Sequence, residues 1–321
     1  MRLWLASNSS HQADGQSGPL QKHFSEMIAW KRMHGVPIRS RAPTGFTLVE
    51  LIVVIAVVLI LASLLLPVLS DGKSKAKAII CLNHHRQLIL ATMLYAGDHE
   101  DSFPANLGAA ETRRSVSAGS FLNWVNNVMS WELDSDNTNL TWIRAGGIGP
   151  YLPGDVSVFK CPEDAALSDL QEDAGWSGRV RSVSMNAMVG DAGEFTRTGV
   201  NTNNPYYKQF FKLGQVPEPS RIFVYTEEHP DSINDGYFLN KPYSGEWHDL
   251  PASYHQGAAH LAFADGHVER RLWTQSSTKP PARPDAAQLP FSISENDLDD
   301  FVWLMERTSV KRYDRYSSAH P

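Results

Sequence analysis

An α+β fold is predicted, in which a long N-terminal hydrophobic helix, half transmembrane and half amphipathic, packs on an antiparallel β-sheet head. Three observations predict it. Phe46 to Leu69 run for 24 residues with one ionisable side chain, Glu50. As a helix at ~1.5 Å per residue, such a run reaches about 36 Å, enough to cross a hydrocarbon core of about 30 Å. The stretch KSKAKAIICLNHHRQLILATMLYA then regains apolar residues at three- and four-residue steps, the pattern of a helix with one buried face. Farther on, HLAFADGHVERRLW reads as a hairpin, with Asp265-Gly266 supplying the positive φ of a two-residue turn.

The rest of the chain divides around the apolar run. Residues 1–45 carry Arg2, Lys22, Lys31, Arg32, Arg39 and Arg41 against Asp14 and Glu26, with no apolar periodicity. They read as a disordered leader, and basic residues just ahead of an apolar span hold that end on the cytoplasmic side. Residues 46–69 form the membrane helix and 70–96 the amphipathic stalk, whose predicted inner face is Ile79, Leu82, Ile89, Met93 and Ala96, with Arg86 as the one polar intrusion. Residues 97–321 form an extracytoplasmic head. A net charge of −6 over 321 residues leaves no basic patch for nucleic acid.

Within the head, Gly97 is expected to stop the stalk, and Asp98, Glu100 and Asp101 form an acidic loop with the oxygen donors, but not the spacing, of a calcium loop. Trp124, Trp131 and Trp142 pin surface helices or loops. Strands are expected at Val156–Phe159, within Arg179–Val189 and at Arg221–Glu228, the last entered through the helix-excluding prolines of VPEPS. Glu227, Glu228 and His229 fall at its end, where they could join a metal site with the later histidines but are expected to be solvated. A short C-terminal helix turns Leu298, Phe301, Val302 and Met305 to one side.

Gly45 followed by Phe-Thr-Leu-Val-Glu stands at the cytoplasmic edge of the span. This resembles the processing motif of type IV prepilins and type II secretion pseudopilins. The resemblance implies cleavage after Gly45 by a prepilin peptidase, methylation of the new N-terminal Phe46, and assembly with other pilin or pseudopilin subunits. It places the chain in the inner membrane as a single-pass protein with a periplasmic head, exposed at the cell surface if it enters a pilus. Physical chemistry agrees: Gly lets a protease approach the backbone, and a cut ahead of the helix leaves the anchor in place. An alternative start at Met33 would shorten the leader. Glu50, costly among lipid tails, stands one helical turn from the Phe46 amine that cleavage creates, in this subunit or a neighbour. In pilins the corresponding Glu is associated with assembly.

His255, nine intervening residues and Asp265-Gly266, together with the prepilin motif, CPED and SINDGYF, resemble the prepilin-type processing-associated H-X9-DG family. That resemblance implies a helix carrying an antiparallel sheet and defines no activity. His255, His260, Asp265 and His267 have the chemistry of a zinc site; the alternative is that Asp265-Gly266 shapes the turn while His255 ties the approaching loop to it. No protease, lipase or phosphate-loop motif is present. A structural, non-enzymatic subunit without a cofactor is therefore expected, against a membrane-anchored metal-binding enzyme or binding protein. Cys81 on the stalk and Cys161, 80 positions later, both follow the span. Bonded in an oxidising compartment, they would staple helix to sheet and stabilise the head by about 4.5 kcal/mol at most. Two buried free thiols are the other reading.

Overall fold

The computed structural model describes residues 45–312 apart from 153 and 285, with the side chains of 67 and 68 also left aside. Expectations for the leader, its disorder and the Met33 start among them, lie outside the described residues, as does the Pro67 side chain. The chain divides into two compact units at Ser63 and Leu64.

In the first unit the described residues are Gly45 to Thr47 and the beginning of helix α1, Leu48–Asp98, 51 residues that run through Asp71-Gly72 without a break. Apolar side chains here are exposed, from 49% at Val57 to 74% at Leu48. It is the one helix among the described residues long and apolar enough to cross a membrane, and the free energy of its exposed apolar surface requires lipid or a greasy partner.

The second unit holds the rest of α1 and an α+β head. Its five-stranded sheet has the order β3-β1-β2-β5-β6, with β1 at Val183–Asn186, β2 at Phe223–Glu227, β3 at Tyr237–Phe238, β5 at Ala258–Phe263 and β6 at Val268–Leu272. The pairs β1–β2, β2–β5 and β5–β6 are antiparallel, whereas β3 adds to β1 in parallel, so the sheet is mixed at that edge. Two short strands, β4 at Glu246–Trp247 and β7 at Phe291–Ser292, pair separately. The fold is the predicted α+β arrangement of long apolar helix and sheet domain.

Helix α1 covers one sheet face. Leu88, Ile89 and Ala91 join Val183, Met185, Val224, Tyr225 and Ala262 in one core, while Phe223, Leu261 and Phe263 turn the other way, toward Trp247, Trp273 and the C-terminal helix residues Phe301 and Leu304. A register shift between Phe223 and Tyr225 puts Val224 and Tyr225 on the same side, as a β-bulge does. From Tyr225 onward the period of two then sends Glu227 toward α1; along β5 it sends His260 and Ala262 the same way.

Several expected elements are corrected. Val156–Phe159 is no strand; Ser157–Phe159 forms a 3₁₀ turn, and Asp155 just ahead of it accepts from the Ser157 amide and hydroxyl. The inner face of the stalk is Cys81, His85, Leu88, Ile89, Ala91, Thr92 and Ala96. Ile79 is exposed, Leu82 and Met93 are half-buried, and Arg86 points outward. The apolar period pointed slightly off the seam because three of its members are Cys, His and Thr. In the hairpin, Ala262 faces Val268, which leaves Phe263 and His267 to close a three-residue loop, Ala264-Asp265-Gly266. Gly266, at φ +93, takes the left-handed position that such loops assign to glycine. In the C-terminal helix, Asp299–Met305, Leu304 is buried and Val302 is exposed. Trp124, one of the aromatics expected to pin this region, is wholly buried, its indole N–H donating to the Gly236 carbonyl at 3.1 Å. Two of the three acids at the end of α1 have protein partners: Asp101 accepts from the Gly214 amide at 2.8 Å and Asp98 from the Tyr151 hydroxyl at 2.9 Å.

Candidate functional site

Two places concentrate chemistry, one in each unit. The first is the start of α1. Gly45, Phe46 and Thr47 precede the helix in non-helical backbone, and all three are exposed. Thr47-Leu48-Val49-Glu50 is a capping box: the Glu50 amide donates to Thr47 Oγ1 at 3.2 Å, and Glu50 Oε2 accepts from the Thr47 amide and hydroxyl, each at 2.8 Å. This satisfies donors that a helix start leaves orphaned. The sequence signal, Thr three residues before Glu at the head of an apolar run, was present and unused. Glu50 therefore has a partner in Thr47 that does not depend on a cut.

The second place is a buried cluster where α1 meets the sheet. Cys81 Sγ donates to Glu227 Oε1 at 2.8 Å, and His255 Nε2 lies 2.9 Å from the same oxygen and 3.3 Å from Cys161 Sγ. One donor atom each from Cys81, Cys161, Glu227 and His255 falls within 4.8 Å of every other, and all four residues are inaccessible to solvent. Around them, the His260 amide donates to Glu227 Oε2 at 2.7 Å with the His260 ring at 3.2 Å, and Glu163 Oε2 stands 3.2 Å from His255 Nδ1.

Each member is placed by a different element. Cys81 and His85 share a face of α1 because they are four residues apart, and His85 Nδ1 donates to the Cys81 carbonyl at 3.0 Å. Cys161 follows the Ser157–Phe159 turn, where its amide donates to Ser182 Oγ at 2.6 Å and its sulfur accepts from the Glu163 amide at 3.4 Å. Glu227 is the last residue of β2. His255 sits in a tight turn before β5 that uses left-handed backbone at Gln256 (φ 57) and Gly257 (φ 82), and its carbonyl accepts from the Arg270 guanidinium at 2.6 Å.

Burial works against every charge here, and hydrogen bonding decides which survive. Burial alone would raise the Glu227 carboxyl, but hydrogen bonds from His255 and His260 overturn this and hold it well below the usual carboxylate range. Burial opposes protonation of His255, yet its bonds to Cys161 and Glu227 raise it to about 10. Cys81 is raised well above a free thiol, first by burial, then by its contacts with Cys161 and Glu227. His85, without such a partner, is pushed by burial down to about 4. The resting cluster is thus a Glu227 carboxylate paired with a His255 imidazolium beside a neutral Cys81 thiol.

The histidine set proposed from spacing separates. His255 and His260 enter the cluster, with ring centroids 4.7 Å apart, and His255 contacts side chains of Glu227 and Cys161 where a tie to the hairpin loop was expected. Asp265 and His267 pair with each other on the exposed turn, at 2.5 Å, and the His267 ring stacks on Phe263. Cys81 and Cys161, the expected stapling pair, are both buried free thiols that belong to one cluster. Glu227, Glu228 and His229 are buried rather than solvated. Glu227, which from sequence could join a metal site but was expected at a solvated strand end, is instead buried at the centre of the cluster; the signal for burial was a carboxylate ending an apolar strand.

The comparisons with known proteins speak to the first place only. No curated protein and no solved structure matches the chain. The family model of the prokaryotic N-terminal methylation motif matches residues 41–66, a segment that holds Gly45, Phe46, the capping box and most of the apolar run. The chain therefore carries a prepilin-type processing signal directly ahead of its apolar helix, the mark of a prepilin-like, single-pass membrane-anchored protein.

Proposed function

We propose that this chain is a non-enzymatic pilin-like subunit that is cut after Gly45, methylated on Phe46 and assembled through its apolar helix into a type IV pilus or a type II secretion pseudopilus. One observation carries the reading: a processing signal exposed in front of a helix whose first turns, Leu48 to Leu61, leave their large apolar side chains without protein cover. A bare apolar helix needs lipid before assembly and the same surface on other subunits after it. The leader charge supports insertion with the N-terminus in the cytoplasm and the head in the periplasm. The H-X9-DG pattern supports a place in that family and acquires a physical meaning. Its nine intervening residues are Gln256 and Gly257 of the entry turn, the six of β5 and Ala264, so His255 in the buried cluster and Asp265-Gly266 at the hairpin turn mark the two ends of one strand.

Intact-mass measurement on protein extracted from membranes tests the processing step. The expected species starts at methylated Phe46 and has 276 residues, the 321 of the chain less the 45 ahead of the cut. A species that retains Gly45 in cells with an active prepilin peptidase would overturn the reading.

A further inference from the structure

We propose that Cys81, Cys161, Glu227 and His255 bind one zinc ion, which ties the stalk part of α1 to the head sheet. The donor set points to this metal: two sulfurs, one imidazole nitrogen and one carboxylate oxygen are the ligands that a d¹⁰ ion takes in tetrahedral array. The spacing suits it. Zinc bonds of about 2.0 to 2.3 Å place tetrahedral ligand atoms roughly 3.3 to 3.8 Å apart, and these four already lie within 4.8 Å of one another, with contacts of 2.8 to 3.3 Å where hydrogen bonds now draw them closer.

The surroundings are those of a ligand shell. His255 presents Nε2 to the cluster and holds Nδ1 3.2 Å from the Glu163 carboxylate, the carboxylate–histidine relation that orients metal-bound imidazoles. Glu227 presents Oε1 inward while His260 fixes Oε2. Cys161 Sγ accepts a backbone N–H from Glu163. All four ligands are shut off from solvent, so the site has no open coordination position and is structural. Binding displaces one proton each from Cys81 Sγ, Cys161 Sγ and His255 Nε2, and the two thiolates, the carboxylate and Zn²⁺ leave a net charge of −1 facing His260 and His85. The ion would replace a hydrogen-bonded contact between helix and sheet by coordinate bonds, whether or not the subunit assembles.

The test uses the full chain, extracted in detergent and purified anaerobically without chelator, then incubated with equimolar Zn²⁺ and dialysed. Elemental analysis is expected to find about one zinc per chain, nearly all of it lost in Cys161→Ser and Glu227→Gln but kept in His267→Ala, which alters only the exposed turn. Because the cluster variants can fail to fold, the wild type is also loaded with Co²⁺; tetrahedral ligand-field bands with sulfur-to-cobalt charge transfer are the expected spectrum. Zinc and cobalt that wash out of the reduced wild type would overturn the proposal. So would a Cys81–Cys161 disulfide dominating non-reduced peptides of the protein as isolated.

Discussion

The first and last turns of α1 belong to one unbroken helix and obey different rules. Between Leu48 and Ile60, apolar side chains stand exposed all round the helix, and composition alone specifies them: any greasy, helix-compatible residue serves. Between Cys81 and Ala96 one face is buried, and its members are chosen for particular bonds. Cys81 reaches Glu227, and the Thr92 hydroxyl both donates to the Leu88 carbonyl at 3.0 Å and meets the Tyr225 hydroxyl at 2.7 Å. One half is written for a solvent and the other for a partner. A membrane accepts a side chain by class, whereas a packed sheet accepts it by shape and hydrogen-bonding capacity.

The same substitution made in each half breaks that comparison most sharply. Leu88→Ala, in the buried core, is expected to destabilise the head by roughly 2 to 5 kcal/mol, while Leu59→Ala, 67% exposed, should leave the head's melting temperature unchanged. Thermal unfolding in detergent, followed by near-ultraviolet circular dichroism, reads both. Equal losses would mean that the two halves are not specified differently.

A smaller effect probes the bonds of the buried half. Tyr225→Phe strands the Thr92 hydroxyl from its sheet partner and should cost about 1 to 2 kcal/mol; the double variant with Thr92→Val, which keeps shape but removes both hydroxyls, should recover part of it. Denaturant unfolding of the single and double variants measures this coupling, and simple additivity would show that the contact carries no interaction energy.

The smallest effect on stability lies at the other end. Thr47→Ala removes the cap and is expected to cost about 1 kcal/mol of local helix stability, seen as faster amide exchange at residues 48–50, with cleavage and assembly retained. Glu50→Val removes the cap and also the carboxylate available to a Phe46 amine, so cross-linked oligomers should fall only in that variant. If Thr47→Ala impairs oligomers as much, the carboxylate acts through the cap and not through the amine.

The sequence announces the exposed half and the fold class because both rest on composition and period. It misplaces the buried half, since an apolar count gives weight to Ile79 and Met93 and none to His85 or Thr92. The head shows the same blindness at Arg181, which is wholly buried with its guanidinium donating to the carbonyls of Val183 and Asp235 and to the Ser184 hydroxyl; no periodicity expects an arginine there. The buried cluster was half legible. Cys81, Cys161, His255 and His260 drew notice by type, but their meeting depends on the bulge that turns Tyr225 and Glu227 toward the helix, and on a loop that brings Cys161 alongside. Those are tertiary facts. The hairpin turn was legible to within one residue, because Asp-Gly signals the turn while loop length decides which neighbours face each other.

The polar seam between α1 and the sheet also has a mechanical meaning. An apolar interface can slide, since one greasy neighbour resembles the next and the surface buried changes little along the way. A seam pinned at Cys81–Glu227, at Thr92–Tyr225 and where the Lys160 carbonyl accepts from His84 at 3.2 Å has one register only. A slip by a single helical turn, about 5.4 Å, would strand every one of those groups at once. A pull along the helix axis is therefore met as shear shared by several hydrogen bonds in parallel, and the head travels with the helix instead of being drawn off it.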